Sequence, residues 1–130
     1  MMEDQPVYKW SSKNILVVED DESSAYLLNE FLKHTGAKIT YTTDGREAVE
    51  YVRDNPETDL ILMDILLPEK DGLTATKEIK SFARNVKVIA QTSYAFSVNA
   101  KEAEQAGCDA FLTKPLNMSL LLDKIDGYLS

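Results

Sequence analysis

The sequence predicts one α/β domain of the doubly wound kind, a (βα)5 three-layer sandwich with a five-stranded parallel sheet. Three observations carry this. Short aliphatic runs alternate five times with amphipathic stretches. The runs are apolar at consecutive rather than alternate positions, as strands buried on both faces require. Right-handed crossovers between parallel strands then place helices on both sides of the sheet. A length of 130 residues suits a single domain with a real core.

Ile15 to Val18 ("ILVV") reads as the first strand. "DESSAYLLNEFLKHTG" follows with apolar residues at helical spacing. Tyr26, Leu27, Phe31 and Leu32 are expected to face the core and Gly36 to end the helix. "AKITYTT" is the second strand. Asp44 caps the next helix, "REAVEYVRDN", whose apolar stripe is Ala48, Val49 and Val52 and which Pro56 closes. "DLILMD" is the third strand and "GLTATKEIKSF" the third helix. "VKVIAQT" is the fourth strand, and "SVNAKEAEQAG" is a helix ending at a glycine. "DAFLTK" is the fifth strand. "NMSLLLDKIDGYL" closes the chain as an amphipathic helix capped by Asn117. Residues 1–13 form a polar arm or linker before a folded unit of residues 14–130. Trp10, in "VYKWSSK", is expected to pack against the domain surface, because a large indole seldom stays in water.

Hydrophobic residues make up 44% and charged residues 28% of the chain, which excludes a disordered or membrane-embedded class. The aliphatic runs are too short to span a bilayer, and "MMEDQPVYKW" lacks the features of a secretory signal, so a cytoplasmic location is expected. A formal net charge of -8 and the lack of a basic cluster argue against direct nucleic-acid binding. The single cysteine, Cys108 in "AGCDAF", reads as a buried small side chain. His34, the only histidine, sits at a predicted helix end with no motif around it.

In such a sheet, ligands bind at the carboxyl ends of the strands. Those ends carry "EDD" after strand one, Asp64 after strand three, Thr92 and Ser93 after strand four, and Lys114 after strand five. If strands one and three are neighbours, Glu19, Asp20, Asp21 and Asp64 crowd together, and their mutual repulsion calls for a cation. Mg²⁺ suits a few carboxylate oxygens plus water and leaves a position for a phosphate oxygen. "EDDES" is the opposite of the phosphate-cradling loop that a nucleotide pocket of this architecture needs. A metal-assisted phosphoryl site requires a nucleophile, an ion, a cation for the equatorial oxygens and a hydroxyl. Asp64, Mg²⁺, Lys114 and Thr92 fill those roles, with an acyl phosphate as the covalent product.

"ILVVEDDE", "DLILMDILLPEKDG", "VIAQTS" and "FLTKP", in that order, resemble the receiver domain of two-component response regulators from Ile15 to Leu129, which implies a flavodoxin-like fold with the strand order 2-1-3-4-5. The resemblance implies that Asp64 is the phosphoacceptor and that Glu19 and Asp20 bind Mg²⁺, Asp20 directly and Glu19 more through water. It further implies a backbone carbonyl ligand from Leu66, with Asp21 just outside. Thr92 matches the switch hydroxyl, Lys114 the phosphate-binding lysine and Phe111 the aromatic that turns inward on activation. The Lys114–Pro115 bond is commonly cis in the family. The donor implied is the phosphohistidine of a histidine kinase or histidine phosphotransfer protein. The readout implied is a downstream protein docking on the face made by the fourth helix, fifth strand and fifth helix, and a weak homodimer through the same elements stays open. No output domain is expected after Leu129 and Ser130, and a stand-alone regulator, a phosphorelay carrier and a receiver module of a hybrid kinase all fit. The protein is expected to act as a signalling domain, not to turn over a separate substrate.

The chain departs from the family at three places. Lys87 stands where a proline often opens strand four, without expected consequence. Leu66 and Tyr94 stand where polar residues are common, and bulk there would exclude water and slow loss of the acyl phosphate. Two rivals are a pseudo-receiver used only for interaction and a metal-dependent aspartyl phosphatase. The phosphatase wants a second carboxylate where this chain has Leu66, and the pseudo-receiver would have lost the site residues.

Overall fold

A computed structural model describes residues 8–67, 71–92 and 100–130. Its elements run β1 (Asn14–Val18), α1 (Glu22–Leu32), β2 (Lys38–Thr42), α2 (Gly45–Asp54), β3 (Leu60–Asp64), α3 (Gly72–Phe82), β4 (Lys87–Thr92), α4 (Ala100–Ala106), β5 (Ala110–Thr113) and α5 (Met118–Leu129). The strands form one parallel sheet in the order β2-β1-β3-β4-β5, as the family resemblance implies. The expected start of the fourth helix, residues 97–99, lies outside the described residues.

Two cores flank the sheet. On one face Leu16, Val18, Ile61, Met63, Val88 and Ala90 meet Ala48, Val49 and Val52 of α2, Ala75 and Ile79 of α3 and Ala103 of α4. On the other, Ile15, Val17, Leu60, Leu62 and Ile89 meet Leu28 and Leu32 of α1 and Leu121, Ile125 and Leu129 of α5. The consecutive apolar residues of each strand thus divide between the two cores.

Four of the helix starts have a physical cause in a capping side chain. Asp21, Asp44, Asp71 and Asn117 accept from the backbone N–H three residues on, at Ser24, Glu47, Thr74 and Leu120. Glu47 reaches back to the Thr43 N–H at 2.9 Å and thereby satisfies a further donor before α2.

Helix α1 corrects one expectation. Tyr26, Leu27 and Phe31 are 66%, 49% and 40% exposed, whereas Leu28 and Leu32 are buried. "AYLLNEFL" holds two adjacent i, i+4 apolar pairs, Leu27/Phe31 and Leu28/Leu32, about 100° apart on the helix, and only one can face the sheet.

Trp10 is 2% exposed and belongs to the α1/α5 core. Its Nε1 donates to Asp126 Oδ1 at 2.8 Å, and the Tyr8 hydroxyl donates to Asp123 Oδ1 at 2.6 Å. The two rings lie 5.0 Å apart. Residues 8–10 therefore tie α5 to the body of the domain, and the Trp10 N–H bonds Thr35 O in the α1–β2 turn. Cys108 is buried, its thiol pushed up mainly by that burial. His34 is exposed just beyond α1. Among the described residues, no helix is long and apolar enough to cross a membrane.

Candidate functional site

The carboxyl ends of β1, β3, β4 and β5 converge, because β1 and β3 are neighbours and so are β3 and β4. Asp64 is the last residue of β3 and Thr92 the last of β4, while Glu19 follows β1 and Lys114 follows β5. Asp64 and Glu19 are 6% and 4% exposed, Thr92 is fully buried, and Asp20 is exposed. Carboxylate oxygens of Glu19, Asp20 and Asp64 all lie within 4.8 Å of one another. Asp21 stands apart as the cap of α1, accepting from Ser23 Oγ, Ser24 N and Ser24 Oγ. Those serine bonds hold its carboxyl below the usual range.

Lys114 Nζ donates to Glu19 Oε1 at 2.7 Å and to Asp64 Oδ2 at 3.2 Å. Burial works to lower the Lys114 pKa, but the Glu19 hydrogen bond and the two carboxylate charges outweigh it and raise it. The Glu19 carboxyl is pushed up by burial and by its Asp64 neighbour, against the opposing pull of Lys114. Three carboxylates face one ammonium, which leaves two formal negative charges uncompensated. That donor set, all hard oxygens with a charge deficit of two, fits a divalent cation of the Mg²⁺ kind.

The backbone fixes the phosphoacceptor candidate closely. The Leu66 N–H donates to Asp64 Oδ1 at 3.1 Å, and the Ile65 N–H donates to Gln91 O at 3.0 Å. The Gly72 N–H donates to Ile65 O at 2.9 Å, which brings the start of α3 against the end of β3. A Cβ at Gly72 would collide with the Asp64 backbone oxygen and sit 2.8 Å from Ile65 Cα, so only glycine fits there. The Lys114 N–H bonds Thr92 O at 2.8 Å, and the Lys114–Pro115 peptide is cis. Phe111 is partly buried against the α2/α3/α4 core, and Leu66 is 45% exposed beside Asp64. Ser93 and Tyr94 lie outside the described residues.

The structure thus brings Glu19, Asp20, Asp64 and Lys114 together. Sequence reasoning did not single out Gly72 or Gln91. An Asp-Gly pair before a helical run is a signal that could have marked the Asp71 cap, but not the close approach of Gly72 to β3. Gln91 pairs with Asp64 in the parallel register and is 2% exposed, yet its Nε2 has no hydrogen-bond partner among the described residues. An amide left so costs roughly 1–3 kcal/mol.

Comparison with known proteins bears on this arrangement. The family model of the response regulator receiver domain matches residues 15–126. The polar-differentiation response regulator DivK of Brucella ovis is 35% identical over 120 residues, covering 91% of this chain and 97% of that one. The receiver domain of the sensor histidine kinase PA1611 from Pseudomonas aeruginosa PAO1, solved with magnesium in its active-site cleft, superposes with a TM-score of 0.82 at 32% identity, over 90% of this chain and 97% of that one. The Saccharomyces cerevisiae complex of the histidine phosphotransfer protein Ypd1 with the receiver domain of Ssk1 gives 0.84 at 28% identity, covering 95% and 91%. The matched segment takes in the acidic cluster and Lys114, and the sheet order is the one expected, so the chain belongs to the response regulator receiver domain family of two-component signalling.

Proposed function

We propose that Asp64 is a phosphoacceptor, taking a phosphoryl group from the phosphohistidine of a histidine kinase or histidine phosphotransfer protein in the cytoplasm. The observation that carries this reading is the position of Asp64 between Lys114 Nζ at 3.2 Å and the Glu19/Asp20 pair, with its carboxylate fixed by the Leu66 N–H. An Asp64 oxygen attacks phosphorus, the P–N bond to the donor imidazole breaks, and an acyl phosphate forms. Mg²⁺, held by Glu19, Asp20, Asp64 and the backbone carbonyl of Leu66, would neutralise charge on the transferred group. Lys114, already shared between two carboxylates, moves toward the phosphoryl oxygens as their charge outweighs that of Glu19.

Thr92 ends β4 on the strand beside Asp64, and the reading assigns it the hydroxyl that bonds the new phosphoryl group. Phe111 lies in register with Ala90 and fills the space that Thr92 leaves. This rearrangement biases α4, β5 and α5, the face offered to a downstream protein. The rim of the site is apolar at Leu27 and Leu66, which suits a protein donor rather than a free phosphate ester. The reading takes residues 14–130 as the receiver domain and residues 1–13 as an N-terminal arm or linker, of which residues 1–7 lie outside the described residues.

The test is intact-protein mass after incubation with acetyl phosphate and Mg²⁺. One phosphate adduct is expected on the wild type and none on Asp64→Asn or with a chelator. An adduct that persists in Asp64→Asn would refute the assignment.

A further inference from the structure

A cavity of about 520 Å³ lies at the amino ends of β3 and β4, between the α2–β3 and α3–β4 connections and so at the opposite end of the sheet from Asp64. That volume is in the range of small-molecule sites. Helices α2 and α3 both end there, at Asp54 and Phe82. The apolar part of the lining includes the buried Val52 and Val86 and the 39%-exposed Phe82. Four charged side chains share the same lining, Arg53 and Arg84 against Glu57 and Asp59. Arg53, Arg84 and Glu57 are exposed, so a ligand can reach their charged ends. Among the described residues none of these three forms an ion pair. The Arg53 guanidinium instead lies 4.7 Å from the centre of the Phe82 ring. Asp59 has a structural task, since its Oδ2 accepts the Asn14 N–H at 2.8 Å.

Two cations and two anions in one lining sum to no net charge, so the cavity selects neither a simple anion nor a simple cation. The formal charge of -8 on the chain works further against an anion. A molecule carrying both signs meets both kinds of group. We propose that this cavity binds an apolar α-amino acid as its zwitterion, with the carboxylate on Arg84, the ammonium on Glu57 and the side chain against Val52, Phe82 and Val86. A guanidinium takes a carboxylate through two parallel N–H donors. The carboxyl ends of α2 and α3, negative by their dipoles, add to the attraction for the ammonium. Contact area comes from the apolar lining and orientation from the two ion pairs. Binding here does not rest on the phosphoacceptor reading.

The probe is L-phenylalanine, titrated into methyl-labelled full-length protein in mildly acidic buffer and followed by NMR. Saturable shifts are expected at the Val52 and Val86 methyls, in the wild type and in Asp64→Asn alike. L-Phenylalaninamide lacks the carboxylate and N-acetyl-L-phenylalanine lacks the ammonium. Each should bind about fivefold more weakly, the upper end of what one partly exposed ion pair supplies. Arg84→Gln should weaken L-phenylalanine by about the same factor and leave the amide unaffected. Glu57→Gln should likewise weaken L-phenylalanine and leave the N-acetyl form unaffected. Both side chains are exposed and unpaired among the described residues, so neither change disturbs the core. Shifts in the wild type that never saturate would overturn the proposal, as would either analogue binding as tightly as L-phenylalanine, or either variant binding L-phenylalanine as the wild type does. A protein that binds L-phenylalanine yet takes no phosphate would remove the phosphoacceptor reading and leave this site standing.

Discussion

Gly72→Ala separates room from conformation at the site. Gly72 is not in the left-handed region, so an alanine could adopt its backbone angles without strain. What it lacks is space: the added methyl would collide with the Asp64 backbone oxygen and lie 2.8 Å from Ile65 Cα. Ordinary carbon contacts are about 3.5–4.0 Å, so α3 must retreat from β3 by about 1 Å. Both obstacles are backbone atoms that no rotamer change can clear, and the retreat also stretches the 2.9 Å bond from Gly72 N–H to Ile65 O. Overpacking of this kind costs about 1–3 kcal/mol, and a weakened hydrogen bond adds about 1 kcal/mol. We therefore expect a loss near 3 kcal/mol in urea unfolding, about 10 °C in Tm for a domain of this size. Phosphorylation by acetyl phosphate should fall as well, because the displaced backbone carries Asp64. Gly127→Ala is the internal control: nothing lies within 4 Å of a Cβ there, inside α5, so alanine should stabilise by about 0.5–1 kcal/mol. A Gly72→Ala protein within about 0.5 kcal/mol of the wild type would refute the steric argument.

Other perturbations probe the remaining parts of the structure. Trp10→Ala empties a 2%-exposed site and strips Asp126 of its donor, so a loss of about 3–5 kcal/mol is expected by denaturant unfolding, and a change under 1 kcal/mol would contradict the packing of residues 8–10. The Tyr8 phenol, hydrogen-bonded to Asp123, is pushed up from 10.0 to about 12. Its bond is fully present below pH 10.0 and is lost as pH rises through about 12, so ultraviolet difference titration of wild type against Tyr8→Phe should show a late-titrating tyrosine that Asp123→Asn returns toward 10.0. Leu66→Asn puts a polar group beside Asp64 in place of a half-exposed leucine, and the acyl phosphate should then hydrolyse several-fold faster in a time course of intact mass. Lys114→Met leaves the Glu19 carboxylate, 1% exposed in its side chain, without its 2.7 Å partner; phosphorylation should be lost, and the protein should survive by protonating Glu19 or admitting a cation, seen as stabilisation by added Mg²⁺.

The sheet and the site were largely legible because both follow from local patterns. The aliphatic run Leu60 to Met63 ends in Asp64, and the carboxyl ends of neighbouring parallel strands meet, so the cluster of Glu19, Asp20 and Asp64 follows once the strand order that the family resemblance implies is given. The face of α1 was not legible, since Leu27/Phe31 and Leu28/Leu32 satisfy the same helical period and only packing against Val17 and Leu62 chooses between them. The partners of Tyr8 and Trp10 lie 115 and 116 residues away on α5, a separation that no local pattern spans. Gly72 signals a turn in sequence, but its real constraint is the approach of α3 to the Asp64 backbone, which exists only once the chain is folded. Gln91 sits in a run that reads as core strand, and nothing in "VIAQT" discloses that its Nε2 is buried without a partner among the described residues.

The most direct test of the central claim is to find where the phosphoryl group resides. Protein labelled with acetyl phosphate and Mg²⁺ is reduced with borohydride, which converts an aspartyl phosphate into homoserine, and the peptides are sequenced by mass spectrometry. Homoserine at position 64 and at no other carboxylate is the predicted result. Unreduced Asp64 in a protein that carries a stable phosphate, or homoserine at position 20 or 21, would contradict the account.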